Sequence, residues 1–240
     1  MIDRNDLIFE KRIVIFAGAY GSGKTEVAVN YAIQTAQLTH DPVSIIDLDI
    51  VNPYFRSREA ALEMESFGIR PINPLGEHCH ADLPIIVPQI KASIESSSGR
   101  VIIDVGGDDL GARVLSSMSD AFAVAEYEFL MVLNANRPFT STVEGAMKMI
   151  RAIEGSARLK FTGIVSNTHL IGETTAQTIL DGIAFSQEVA KVAGIPLVFA
   201  SGMESVIQKV DTTKITVPLF SLSRRMLKPW EHHTVIASNR

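Results

Sequence analysis

Gly18-Ala19-Tyr20-Gly21-Ser22-Gly23-Lys24-Thr25 matches G-x-x-x-x-G-K-[ST], the phosphate-binding loop, at every position. Its flanks agree with it. Ile13-Val14-Ile15-Phe16-Ala17 is the short apolar run of a buried strand entering the loop. From Thr25 to about Gln37, Val27, Ala28, Tyr31, Ala32 and Thr35 fall near one face, which predicts a helix leaving it. Glycines let the backbone approach an anion, and the loop amides and the helix N-terminus supply positive potential. Backbone groups of Gly18, Tyr20, Gly21, Ser22 and Gly23 are thereby assigned to the phosphates. The Lys24 ammonium is assigned to the β- and γ-phosphates and the Thr25 hydroxyl to Mg²⁺. The stretch implies a nucleoside triphosphate as ligand.

Downstream, strands alternate with helices. Val43 to Leu48 reads as the second strand and ends in Asp47-Leu48-Asp49. In a parallel sheet the carboxyl ends of strands face the ligand crevice, so Asp49 emerges beside the phosphates. There it either holds Mg²⁺ or orients the attacking water. A helix follows to about Phe67, closed by Gly68, and its approach carries Arg56 and Arg58, each a candidate arginine finger. Ile69 to Ile90, with four prolines, reads as irregular. Within it His78-Cys79-His80-Ala81-Asp82 has the wrong spacing for structural zinc patterns and suits a lid or partner surface better.

After a helix from Pro88 to about Ser96, Arg100 to Asp104 is an apolar strand ending in Asp104-Val105-Gly106-Gly107. A D-x-x-G turn there places Asp104 in the Mg²⁺ shell and the Gly107 N–H at the γ-phosphate. Further strands are expected at Glu128 to Ala135, Thr162 to Ser166 and Ile195 to Ala200, with helices over Ser141 to Glu154 and Thr174 to Ala193. Asn167 follows the strand at 162–166, where its amide can meet an adenine edge. The guanine-reading N-K-x-D pattern needs Asp at 170, and Leu170 stands there, which favours ATP over GTP. Leu219 to Trp230 reads as a short basic amphipathic helix that closes the sheet through Leu222, Met226 and Leu227, with surface membrane attachment as the lesser reading.

The pattern predicts a three-layer α/β/α sandwich around a mostly parallel sheet, the P-loop NTPase fold. Its 240 residues suit one domain, 1–240, with the core at about 12–220 and a tail at 221–240. A net charge of -5 argues against general nucleic-acid binding. One cysteine excludes an internal disulfide. The charged first twelve residues lack a secretory apolar stretch, and no run nears the roughly 20 residues of a membrane span, so a cytoplasmic protein is expected.

Gly18–Thr25, Asp47-Leu48-Asp49, Asp104 to Asp108 and Asn167 together resemble the nucleotide-site motifs of the SIMIBI class of phosphate-loop NTPases. Within it they look most like the MinD/ParA/CobQ group, which includes the nitrogenase iron protein. The resemblance spans about Ile13 to Leu219. It implies a slow Mg²⁺-dependent ATPase that uses its bound state to dimerise and engage a protein partner. It gives Lys24 and Thr25 the phosphate and Mg²⁺ roles, Asp49 the hydrolytic water, Asp104 the switch carboxylate and Asn167 the adenine. The chain departs from the group at Ala19, where the signature lysine that crosses to the partner's nucleotide belongs; Arg56 or Arg58 is the substitute on offer. The residues after the switch, Asp109 to Arg113, also lack cluster-ligating cysteines. The alternative function is an ATP-dependent small-molecule kinase or synthetase of the same fold, its substrate held by the Pro71 to Pro88 loop.

Overall fold

The computed structural model describes residues 7–49, 58–72, 87–106 and 109–225. Among them are eight strands: β1 (Ile13–Ala17), β2 (Val43–Leu48), β3 (Ile69–Ile72), β4 (Arg100–Val105), β5 (Tyr127–Leu133), β6 (Gly163–Ser166), β7 (Leu197–Met203) and β8 (Leu219–Leu222). The helices are α1 (Lys24–Leu38), α2 (Arg58–Ser66), α3 (Val87–Glu95), α4 (Asp109–Ser116), α5 (Ser119–Val124), α6 (Val143–Ala157), α7 (Ala176–Ala193) and the short α8 (Glu204–Ile207). The strands form one parallel sheet in the order β3-β2-β4-β1-β5-β6-β7-β8. From β1 the chain steps outward past β4 to β2; after β4 it returns past β1 to β5. That reversal opens a crevice above the carboxyl ends of β1, β4 and β5.

Alternation along the buried strands sorts side chains between two cores. Ile13, Ile15 and Ala17 of β1 join Ile46, Ile103 and Met131 beneath α3, α4, α5 and α6. Val14 and Phe16 join Ile45, Ile102 and Val132 beneath α1 and α2. Helix α1 buries all five positions expected of its inner face, Val27, Ala28, Tyr31, Ala32 and Thr35. The expected α/β/α sandwich is therefore the observed one. It includes Leu7 and Leu222, so the buried core reaches beyond 12–220 at both ends.

Three stretches differ from expectation. Ile69-Arg70-Pro71-Ile72, expected to be irregular, pairs with β2 as the edge strand β3. Only an edge readily accepts Pro71, which has no N–H to give a ladder. Leu219 to Leu222, expected as the start of a helix, is strand β8 on β7. Its Phe220 and Leu222 are buried while Leu219 and Ser221 are half-buried, a period of two that a helix cannot produce. The chain beyond is held by α1: Asn30 Nδ2 donates to the Ser223 carbonyl at 2.9 Å, and the Ser223 N–H donates to Asn30 Oδ1 at 2.8 Å. Helices α4 and α5 were not foreseen at all. Ala112, Leu115, Met118, Ala121 and Phe122 carry their apolar stripe and are buried in the first core. The His78–Asp82 segment, Arg56, and Met226 and Leu227 lie outside the described residues.

Helix α7 approaches the loop after β6 so closely that a Cβ on Gly182 would sit 2.4 Å from Thr168 Cβ. Gly182→Ala is expected to push the helix outward and cost about 1–3 kcal/mol of stability, measurable by urea unfolding.

Candidate functional site

The crevice is built at the junction of β1 and α1. Gly21 and Gly23 take φ of 74° and 80°, the left-handed region that lets the backbone curl around an anion. Gly18 packs on β5, where a Cβ would meet Val132 O at 2.4 Å. The Ser22 N–H closes the turn on Ala19 O at 3.0 Å. Tyr20 is 74% exposed, so its backbone is the part that serves the loop. Ala19, at the signature-lysine position, is 1% exposed, and its side chain faces protein rather than a neighbouring molecule.

On the β2 and β4 side the loop meets carboxylates. Lys24 Nζ lies 3.4 Å from Asp49 Oδ2, with both side chains nearly buried. The Thr25 hydroxyl donates to Asp104 Oδ2 at 2.5 Å. The Asp49 N–H donates to Asp47 Oδ1 at 2.9 Å, which fixes the turn that brings Asp49 inward. Asp47, Asp49 and Asp104 are 0%, 8% and 1% exposed, and the buried Lys24 charge acts on Asp49 and on Asp104. Burial pushes the Asp104 carboxyl up to about 7; the Lys24 charge opposes this, Asp47 adds to it, the Thr25 hydroxyl opposes it and Asp49 adds to it. Asp104 Oδ1 is buried without a hydrogen-bond partner among the described residues.

That orphaned oxygen beside a hydroxyl, with Asp47 and Asp49 buried nearby, fits Mg²⁺. No group of three or more His, Cys, Asp or Glu among the described residues is arranged to hold a metal alone. Mg²⁺ commonly takes one or two protein ligands and fills the rest with phosphate oxygens and water, and Thr25 with Asp104 is such a set. Gly107 lies outside the described residues, as does Arg56; of Arg58 only the backbone, at the start of α2, is described.

On the β5 and β6 side the loop is gripped from outside. Asn167 Nδ2 donates to Ser22 O at 2.8 Å, and Asn167 Oδ1 accepts from the Ser201 hydroxyl at 3.0 Å. The amide expected at an adenine edge is thus tied to the loop and to β7. Arg137, which follows β5, donates from Nε to Gly21 O at 2.7 Å. A Cβ on Gly23 would fall 2.3 Å from Asn167 Nδ2, and one on Gly21 2.9 Å from Arg137 Nε. Both glycines are needed for these grips as well as for their φ. Buried Asn134 joins the two loops: its Oδ1 accepts from the Asn136 and His169 N–H groups at 2.9 and 3.4 Å. The His169 ring, close to the loop at Gly23, is lowered in pKa by burial and then by the Arg137 charge. Sequence reasoning missed Arg137 and Asn134: Asn134 lies inside the strand expected at 128–135, and Arg137 lies between it and the helix expected at 141–154.

No protein-family profile matches the sequence, and no curated protein matches it either. Solved structures do. Chloroplast FtsY from Physcomitrella patens is 17% identical with a TM-score of 0.54, over 80% of this chain and 59% of that one. FtsY from Mycoplasma mycoides is 19% identical with a TM-score of 0.54, over 81% and 63%. FlhF complexed with GMPPNP and Mg²⁺ is 12% identical with a TM-score of 0.50, over 98% and 78%. The chain spans about six-tenths of the length of the FtsY chains from Physcomitrella patens and Mycoplasma mycoides. The likeness extends to architecture: this chain has the P-loop NTPase fold that FtsY and FlhF also have.

Proposed function

We propose that the chain binds MgATP at the Gly18–Thr25 loop and hydrolyses it slowly, as a SIMIBI switch of the MinD/ParA/CobQ type acting on a protein partner. The observation that carries this reading is the Thr25–Asp104 contact at 2.5 Å with Asp104 Oδ1 left over, next to buried Lys24. Thr25 and Asp104 would hold Mg²⁺, which neutralises phosphate charge when bound. Lys24 binds the β- and γ-phosphates, and Asp49 orients the attacking water.

ATP is the nucleotide of choice because Leu170, 48% exposed, brings no carboxylate to a guanine edge. The GMPPNP held by FlhF makes GTP the comparison to run. Switching is supported by packing at the carboxyl ends of β2 and β4. A Cβ on Gly111 of α4 would meet Leu48 O at 2.8 Å and the Gly106 nitrogen at 2.9 Å. The carboxyl ends of β2 and β4 therefore both lie against α4, so a γ-phosphate acting at either end would act on the helix as well. A partner or a second copy has apolar groups to meet at this end of the sheet, where Tyr20, Phe139 and Ile171 are exposed on the loops after β1, β5 and β6. No helix among the described residues is long and apolar enough to cross a membrane. A cytoplasmic location completes the proposal.

Calorimetry with MgATP and MgGTP, phosphate release without added acceptor, and light scattering with and without nucleotide test this reading together. Tighter binding of ATP, slow release and a nucleotide-dependent change of mass are expected. Asp104→Asn should raise the Mg²⁺ needed for half-maximal turnover by at least about tenfold. Preference for GTP would overturn the ATP assignment, and an unaltered Mg²⁺ requirement would remove Asp104 from the metal.

A further inference from the structure

Arg137 is the cation on the far side of the loop from Lys24. Its Nε is fastened to Gly21 O at 2.7 Å, across 116 residues of sequence. The guanidinium carbon comes within 3.0 Å of where a Gly21 Cβ would lie, so the whole planar group is set against the loop. Its Nη1 and Nη2 atoms make no hydrogen bond or ion pair among the described residues, although Arg137 is only half-buried and carries a full charge.

The fold says which part of a nucleotide would lie there. Thr25 with Asp104 of β4, and Lys24 with Asp49 after β2, mark the γ-phosphate and metal end. In the sheet order β2-β4-β1-β5-β6, Arg137 follows β5, on the opposite side of β1. A nucleotide whose γ-phosphate is at Lys24 and Asp104 must carry its ribose and base toward β5 and β6. The neighbouring His169 is held toward its neutral form by burial and by Arg137 itself, so it does not compete for the role of cation.

We propose that Arg137 is a nucleotide-positioning residue, fixed to the phosphate loop by one edge of its guanidinium and packed on the ribose and base of the ligand by the rest. The inference rests on the nucleotide reading of the Gly18–Thr25 loop and deepens it by naming what holds the nucleoside half. A planar, delocalised cation suits that task, since it stacks on a base face while donating hydrogen bonds in its plane. The role also gives a partner to Nη groups that have none among the described residues.

The test compares two ligands on the full chain by calorimetry in Mg²⁺: ATP, and inorganic tripolyphosphate, which has the phosphates without the nucleoside. Wild type should bind ATP more tightly than tripolyphosphate. Arg137→Ala should weaken ATP by about tenfold more than it weakens tripolyphosphate, and the tripolyphosphate binding that remains also shows that the variant is folded. Arg137→Lys keeps the charge without the plane, and its ATP affinity should stay below wild type. Equal loss of both ligands would reduce Arg137 to a clamp on the loop and overturn the proposal, as would full recovery by lysine or no loss of ATP. A wild-type chain that binds neither ligand would instead refute the nucleotide reading itself.

Discussion

Replacing Lys24 with alanine is expected to weaken MgATP binding by about two orders of magnitude, the upper range for one charge-assisted hydrogen bond. The size follows from where Lys24 sits. It is 5% exposed, so its attraction for phosphate is little screened by water. Lys24 is also the main cation opposing the upward drift of Asp104, so its loss weakens the metal side of the site as well. Calorimetry reads the affinity, and circular dichroism checks that the fold survives the loss of charge among Asp47, Asp49 and Asp104. Unchanged affinity would refute the assignment of the loop.

The second large effect is on turnover. Asp49→Asn is expected to slow phosphate release by about 10²-fold or more, the usual range for losing a group that handles the attacking water's proton. The same substitution should tighten ATP binding rather than weaken it. Without nucleotide, Lys24 is held 3.4 Å from Asp49 Oδ2. A γ-phosphate has to draw the lysine away from that carboxylate, and asparagine offers it a weaker hold. A slow enzyme with higher affinity is thus the signature of Asp49; single-turnover kinetics with labelled ATP separates the two effects. Turnover at the wild-type rate would remove Asp49 from the chemistry.

These predictions draw on residues that the sequence itself exposed, because their signals are local. A loop motif between an apolar run and an amphipathic stretch fixes β1 and α1. The rule that parallel strands deliver their carboxyl ends to one side then brings Asp49 and Asp104 to the loop. Nothing local marks Arg137, which reaches Gly21 across 116 positions. The sequence assigns Asn167 to an adenine edge, but whether an amide faces the ligand or the protein is set by Ser201 and Ser22 in other parts of the chain. Four-residue segments such as Leu219–Leu222 are too short for periodicity to separate strand from helix. The free edge of β7 decided that one. The helices after β4 bury Ala112, Leu115 and Phe122, but each helix is too short for a helical period to stand out.

The grip of Asn167 on Ser22 also sets a schedule for the newborn chain. The Gly18–Thr25 loop is made well before its grips: one clamp on it lies 145 residues later, and the Ser201 that steadies that clamp another 34 beyond. At about 5–20 residues per second, synthesis of the first interval alone takes on the order of ten seconds. For that time the loop exists without the side chains that hold its shape. A nascent chain halted before β6 has the motif but not the finished site, so nucleotide can reward folding only once Asn167 and Ser201 have been made.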